Sequence, residues 1–151
     1  MITYYRSEVT DERAEQAIRR ALDYAKTAVE RDPALSMARS AYGHMLIHAE
    51  ETELAVGQGE EAVRLNPSDA AAYSELGMTL CALKKHDESI AATSVAKRLS
   101  SNDPGMWRFL TVESRALMGL QRYDEAVRIL HRSQELRPNN IFAYVYEVFA
   151  L

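Results

Sequence analysis

Prolines stand at positions 33, 67, 104 and 138 of this 151-residue chain, at spacings of 34, 37 and 34. A proline cannot continue a helix, and the residue before it is pushed toward extended geometry. The chain is therefore broken at a nearly constant stride. The residues leading into the breaks also repeat: AVERDP ends at Pro33, AVRLNP at Pro67 and SQELRP at Pro138. The third copy reads AKRLSS over 96–101 and lacks the proline in register; its Pro104 follows Asp103. There Asp103 is expected as N-cap and Pro104 as first helical residue, so that this pair opens a helix.

Between breaks the apolar spacing is helical. From the turn at Gly119-Leu120-Gln121, the residues Tyr123, Ala126, Val127, Leu130, Ser133 and Leu136 follow three and four apart, a single stripe along one helix. Small Ala126 and Ser133 share it with bulky Tyr123 and Leu130, as expected where two helices approach closely. Such a helix needs an antiparallel partner, and 104–120 supplies one.

The other segments vary this arrangement. Residues 1–9 show no helical period and read as a lead-in. Thr10 is a good N-cap with Asp11 and Glu12 in the first turn, and Ala14, Ala17, Ile18, Ala21, Ala25, Ala28 and Val29 form a small-residue stripe ending at Asp32-Pro33. A helix over about 34–49 is followed by one over about 52–65 that holds Gly57 and Gly59. Each glycine costs a helix about 1 kcal/mol relative to alanine, and close packing against a neighbour is the expected reason for both. Ser68 is expected to cap a helix over 69–83, with a Lys84-Lys85 turn and a return helix over 86–99. The fourth pair, with Trp107, Leu110 and Leu117, has three extra residues, so its first helix is expected to start a turn early. The final eleven residues, IFAYVYEVFAL, are apolar except for Glu147. Such a helix is expected to be buried nearly all round. By register it is the first helix of a fifth pair. Either a longer solenoid continues past it, the chain being a segment of a larger protein, or it packs on a second copy through Phe142, Tyr146 and Phe149.

A period of 34 punctuated in this way resembles the tetratricopeptide repeat, a helix-turn-helix unit stacked into a solenoid. Tyr73, Leu76 and Gly77 match the aromatic, leucine and glycine of that family's first helix. Tyr42, Gly43 and Leu46 stand at comparable positions one repeat earlier. The two small positions of its second helix are matched by Ala55 and Ala62, by Ser89 and Ala96, and by Ala126 and Ser133. The resemblance covers about residues 10–151. It implies an all-α right-handed superhelix with repeats at about 10–33, 34–67, 68–103 and 104–138 and a terminal helix at 140–151. The run AKRLSSNDPGMWRF (96–109) with the repeat after it also resembles the C-terminal repeats behind bacterial class III adenylate cyclase domains and some winged-helix regulators. That likeness implies a regulatory arm of a signalling protein.

Composition narrows the function. Eighteen basic residues against 22 acidic give a net charge of −4 without a basic run, against nucleic acid or anionic membrane as the main partner. One cysteine, Cys81, excludes an internal disulfide and a Cys-based zinc cluster. No signal peptide or membrane-length apolar run appears, so the chain reads as soluble and cytoplasmic. Phosphate loops, Gly-x-Ser-x-Gly elbows and Cys-x-x-Cys pairs are absent, and neither a catalytic set nor a cofactor is expected. His44 and His48 have a metal-compatible spacing but no evident third ligand, and read as groove or surface residues. Cys81 reads as a small apolar group.

The resemblance implies a concave groove lined by the first helices, where a peptide or partner helix docks. Position by position this is Met37, Ser40, His44, Ile47 and His48, then Ala71, Ser74, Met78 and Cys81, then Arg108, Thr111, Arg115 and Met118. Methionine adapts its shape to apolar partners, and Arg108 and Arg115 suit a carboxylate. The family's co-chaperones of heat-shock proteins use Lys and Asn side chains here. Ser40, His44 and Ser74 stand instead, so that activity does not carry over.

Overall fold

The proline stride becomes a stride of helices. The computed structural model describes residues 12–102 and 104–150. Among them run eight α-helices and no strand: α1 (Glu12–Arg31), α2 (Ser36–His48), α3 (Thr52–Leu65), α4 (Ala70–Ala82), α5 (His86–Leu99), α6 (Met106–Gly119), α7 (Tyr123–Leu136) and α8 (Ile141–Ala150). The lead-in 1–9, the Thr10-Asp11 cap and Asp103 lie outside the described residues.

Each helix packs against its chain neighbours, and α2, α4, α6 and α8 also pack on one another in succession. Among the described residues α1, α3, α5 and α7 make no such contacts with each other. Helices that touch lie on the inside of a curve, so the even-numbered set lines the concave face of an all-α helical-repeat solenoid.

The small residues make this stacking possible. Ala55, Ala62, Ser89, Ala96, Ala126 and Ser133 are all fully buried. Opposite them, a Cβ built on Gly43 would meet the Ala55 carbonyl at 3.1 Å, and one on Gly77 would meet Thr93 Cγ2 at 2.8 Å. Side-chain bulk at either glycine would push the helix pair apart. The two glycines of α3 differ: Gly59 packs against Leu76, whereas Gly57 is exposed with nothing within 4 Å, so close packing explains only the first.

The turn inside each pair is a Schellman closure. Glu51 N–H donates to the Leu46 carbonyl (2.9 Å) and Glu50 N–H to that of Ile47 (3.1 Å). Lys85 with Leu80, Lys84 with Cys81, Arg122 with Leu117 and Gln121 with Met118 repeat the pattern. Its left-handed residue falls on Glu50, Lys84 and Gln121, with φ of 64°, 62° and 60°.

Three local expectations are corrected. Asp69, not Ser68, caps α4: its carboxylate accepts from the Ala71 and Ala72 amides, while the Ser68 hydroxyl donates to Asn66 Oδ1. Pro104 lies in a turn and α6 begins at Met106, because most of the extra length went into the connection after α5 rather than into a longer helix. Finally, α8 is not buried all round. Ala143 is fully buried, but Ile141, Phe142, Tyr144, Val145, Val148 and Phe149 are exposed, since among the described residues only α6 and α7 cover it.

Candidate functional site

Hydrogen bonds and ion pairs cross the concave face from helix to helix. His44 Nδ1 of α2 lies 2.7 Å from Glu75 Oε2 of α4, and Arg108 Nη2 of α6 lies 3.5 Å from Glu75 Oε1. At the outer end His48 Nε2 stands 3.4 Å from His44 Nε2. Glu75 is thus the shared carboxylate of a ladder spanning three helices.

The charges follow from the geometry. The Glu75 hydrogen bond holds the His44 pKa above its ordinary 6.5, outweighing partial burial. Burial and then the charge of His44 push His48 below the same value. Of the two rings, His44 is the one favoured to be charged, and its Nε2–H then donates to neutral His48.

The predicted groove residues divide on inspection. Met37 and Arg108 are exposed, as are His48 and Ala71; Ser40, His44, Ile47, Met78, Arg115 and Met118 are half-buried. Ser74 is buried but lines a shallow depression with Ala71, Glu75, Gly105, Arg108 and Phe109. Arg115 carries its guanidinium 5.7 Å over the ring of Tyr146, bringing α8 to the edge of the groove. The Ser40 hydroxyl is buried without a hydrogen-bond partner among the described residues.

Two residues point elsewhere. Thr111 is buried where α6, α7 and α8 meet: its hydroxyl bonds the Trp107 carbonyl (2.7 Å) and lies 3.1 Å from Ser133 Oγ, while Asn140 Nδ2 donates to it at 3.0 Å. This knot anchors the start of α8. Cys81 is also buried, with Sγ 4.0 Å from His86 Nδ1, and burial pushes its thiol pKa up, opposite to what a nucleophile needs.

Sequence reasoning missed Glu75, the centre of the ladder, although a signal existed. His44 and Glu75 are 31 residues apart, one period less one helical turn, and Glu75 and Arg108 are 33 apart across the longer interval. Residues at that offset face each other across adjacent first helices. Among the described residues no group of three or more His, Cys, Asp or Glu side chains is arranged to hold a metal ion. No helix there is long and apolar enough to cross a membrane.

Residues 49–104 match the sequence profile of a tetratricopeptide-repeat family. No curated protein matches the chain. Among solved structures, a thermophilic tetratricopeptide-repeat protein of Thermus thermophilus superposes with a TM-score of 0.74 at 20% identity, over 91% of this chain and 74% of that one. The Arabidopsis OM64 tetratricopeptide domain gives 0.68 at 21% identity, over 76% of this chain and 93% of its own. The second such domain of human RPAP3, solved with the HSP70 peptide SGPTIEEVD, gives 0.67 at 16%, over 76% and 93%. Profile match over 49–104, repeat spacing and architecture agree: the chain carries tetratricopeptide-repeat sequence there and has the fold of a tetratricopeptide-repeat solenoid.

Proposed function

We propose that this chain is a non-catalytic scaffold, acting in the cytoplasm, that holds an extended peptide or a partner helix in the trough formed by α2, α4 and α6. The observation that carries the reading is the polar ladder on an otherwise methionine- and alanine-rich face. His44, Glu75 and Arg108 provide orienting groups at the centre, and Met37, Ala71 and Met78 provide adaptable apolar contact around them. The peptide bound to the RPAP3 domain supports this use of the fold.

The charge pattern favours a ligand with at least one carboxylate. Glu75 already engages Arg108. An incoming carboxylate therefore meets Arg115 first, and reaches Arg108 by displacing Glu75. The probe is an array of short peptides with apolar and acidic positions, read by fluorescence anisotropy. Arg115→Glu is expected to weaken the best binder at least about tenfold, in line with about 1.5–3 kcal/mol for a hydrogen bond to a charged group. Binding that is indifferent to Arg115→Glu and Arg108→Glu contradicts the reading.

One observation favours a second reading, a regulatory arm of a bacterial signalling protein. The connection over 100–105, six residues against four in each of the other links between pairs, carries the Ser-x-x-Asp-Pro run. A cyclase or winged-helix domain in the same reading frame would support it.

A further inference from the structure

The uncovered side of α8 departs from its repeat position in a way that points to what covers it. Ala38, Ala72, Phe109 and Ala143 are the buried residues that mark equivalent positions on the four first helices. Five residues later stand Gly43, Gly77, Ser114 and Val148. At Gly43 and Gly77 the second helix of the pair comes so near that a Cβ would sit 3.1 Å from the Ala55 carbonyl and 2.8 Å from Thr93 Cγ2. At Ser114 the side chain is fully buried against the same kind of neighbour. Val148, branched and 73% exposed, fills the space that such a helix would need. A second helix at the separation found at Gly43 and Gly77 would run into the Val148 side chain.

It is shaped as a continuous apolar face. At about 100° per residue, Ile141, Phe142, Tyr144, Val145, Val148 and Phe149 fall within an arc of about 160° opposite buried Ala143. The one charge on the helix is turned away: Glu147 is held by His131 Nε2 and Gln134 Nε2 of α7, each at 2.7 Å. Tyr146 lies at the border, stacked on Phe142 and beneath Arg115. An uncharged face has nothing with which to select a charged partner. Elsewhere among the described residues the exposed large apolar side chains are scattered over several helices and the turn before α2. The surface of matching chemistry and extent is the same helix on another copy.

We infer that α8 pairs with α8 of a second copy in a two-fold symmetric contact centred on Val145, with Phe142 and Phe149 exchanging places across the axis. The six side chains expose roughly 700 Å² per copy, so a contact that covered all of them would approach the roughly 800 Å² buried per partner in a standard stable interface. In a two-fold contact a residue near the axis meets its own symmetry mate.

That symmetry provides the test on the full chain, by light scattering across a hundredfold range of concentration. The wild-type chain is expected to dimerise. Val145→Glu and Val145→Lys, each placing two like charges face to face, are each expected to raise the dimer dissociation constant at least about tenfold. Both should keep the wild-type circular dichroism, because Val145 is exposed in the single chain. Mixing the two variants should restore a dimer. A monomeric wild-type chain, a dimer that survives either substitution, or a mixture that stays monomeric would each overturn the inference.

Discussion

Glu75 Oε2 and His44 Nδ1 lie 2.7 Å apart although they come from different repeats, and this contact makes the groove sensitive to pH. The His44 pKa is raised in the fold, first by this hydrogen bond. A base with a raised folded pKa adds stability that is complete below the unfolded value, near 6.5, and is lost as pH rises through the folded value. His48 is shifted the other way, so near pH 6.5, where its unfolded form still binds protons, it opposes the trend. The His44 contribution, a few tenths of a kcal/mol on the scale of a solvent-screened pair, is therefore read as a difference between wild type and Glu75→Gln. Urea midpoints at pH 6.5 and pH 8 for both proteins measure it. Glu75→Gln should remove stability at pH 6.5 more than at pH 8, and in NMR titration should lower the His44 pKa.

Gly77 and Gly57 should respond oppositely to alanine. Gly77→Ala drives a methyl group into Thr93, which is fully buried and bonded to the Ser89 and Ile90 carbonyls, and should cost about 1–3 kcal/mol. Gly57→Ala meets open space in a helix and should stabilise by up to about 1 kcal/mol. Thermal melts of the two variants side by side decide the matter. A destabilising Gly57→Ala would contradict the placement of α3.

Lys84 closes the α4 to α5 turn at φ 62°, a conformation costing a non-glycine residue about 1–2 kcal/mol. Lys84→Gly relieves that strain and frees the unfolded chain, so the net gain should be positive but below about 1 kcal/mol. Lys84→Val should lose stability by chemical denaturation.

Asn140 is buried and donates to Thr111 Oγ1 at 3.0 Å and Ser133 Oγ at 3.2 Å. Asn140→Ala leaves those hydroxyls short of a donor and should cost about 1–3 kcal/mol. The loss should be local. Hydrogen exchange should speed up in α8 before it does in α4 and α5.

The solenoid was legible because one stride recurs: helix ends at Leu65, Leu99 and Leu136 and the six small buried residues follow directly from it. What escaped depends on relations between repeats. Glu75 looked like an ordinary charged residue until α2 and α6 placed His44 and Arg108 beside it. Thr111 was assigned to the groove by register, but Asn140 and Ser133 draw it into the α6–α8 junction. For α8, an apolar composition predicted burial without saying that none of the described helices lies over its outer face. At Asp69, two neighbouring residues were both competent caps, and the backbone let the second make the bonds.

The most direct measurement is an NMR chemical-shift titration of the full chain with the tightest-binding peptide from the acidic-apolar array. Shifts are expected to concentrate on His44, Glu75, Arg108 and Arg115 and their neighbours along α2, α4 and α6. Shifts confined to the outer helices α1, α3, α5 and α7 would contradict docking in the trough.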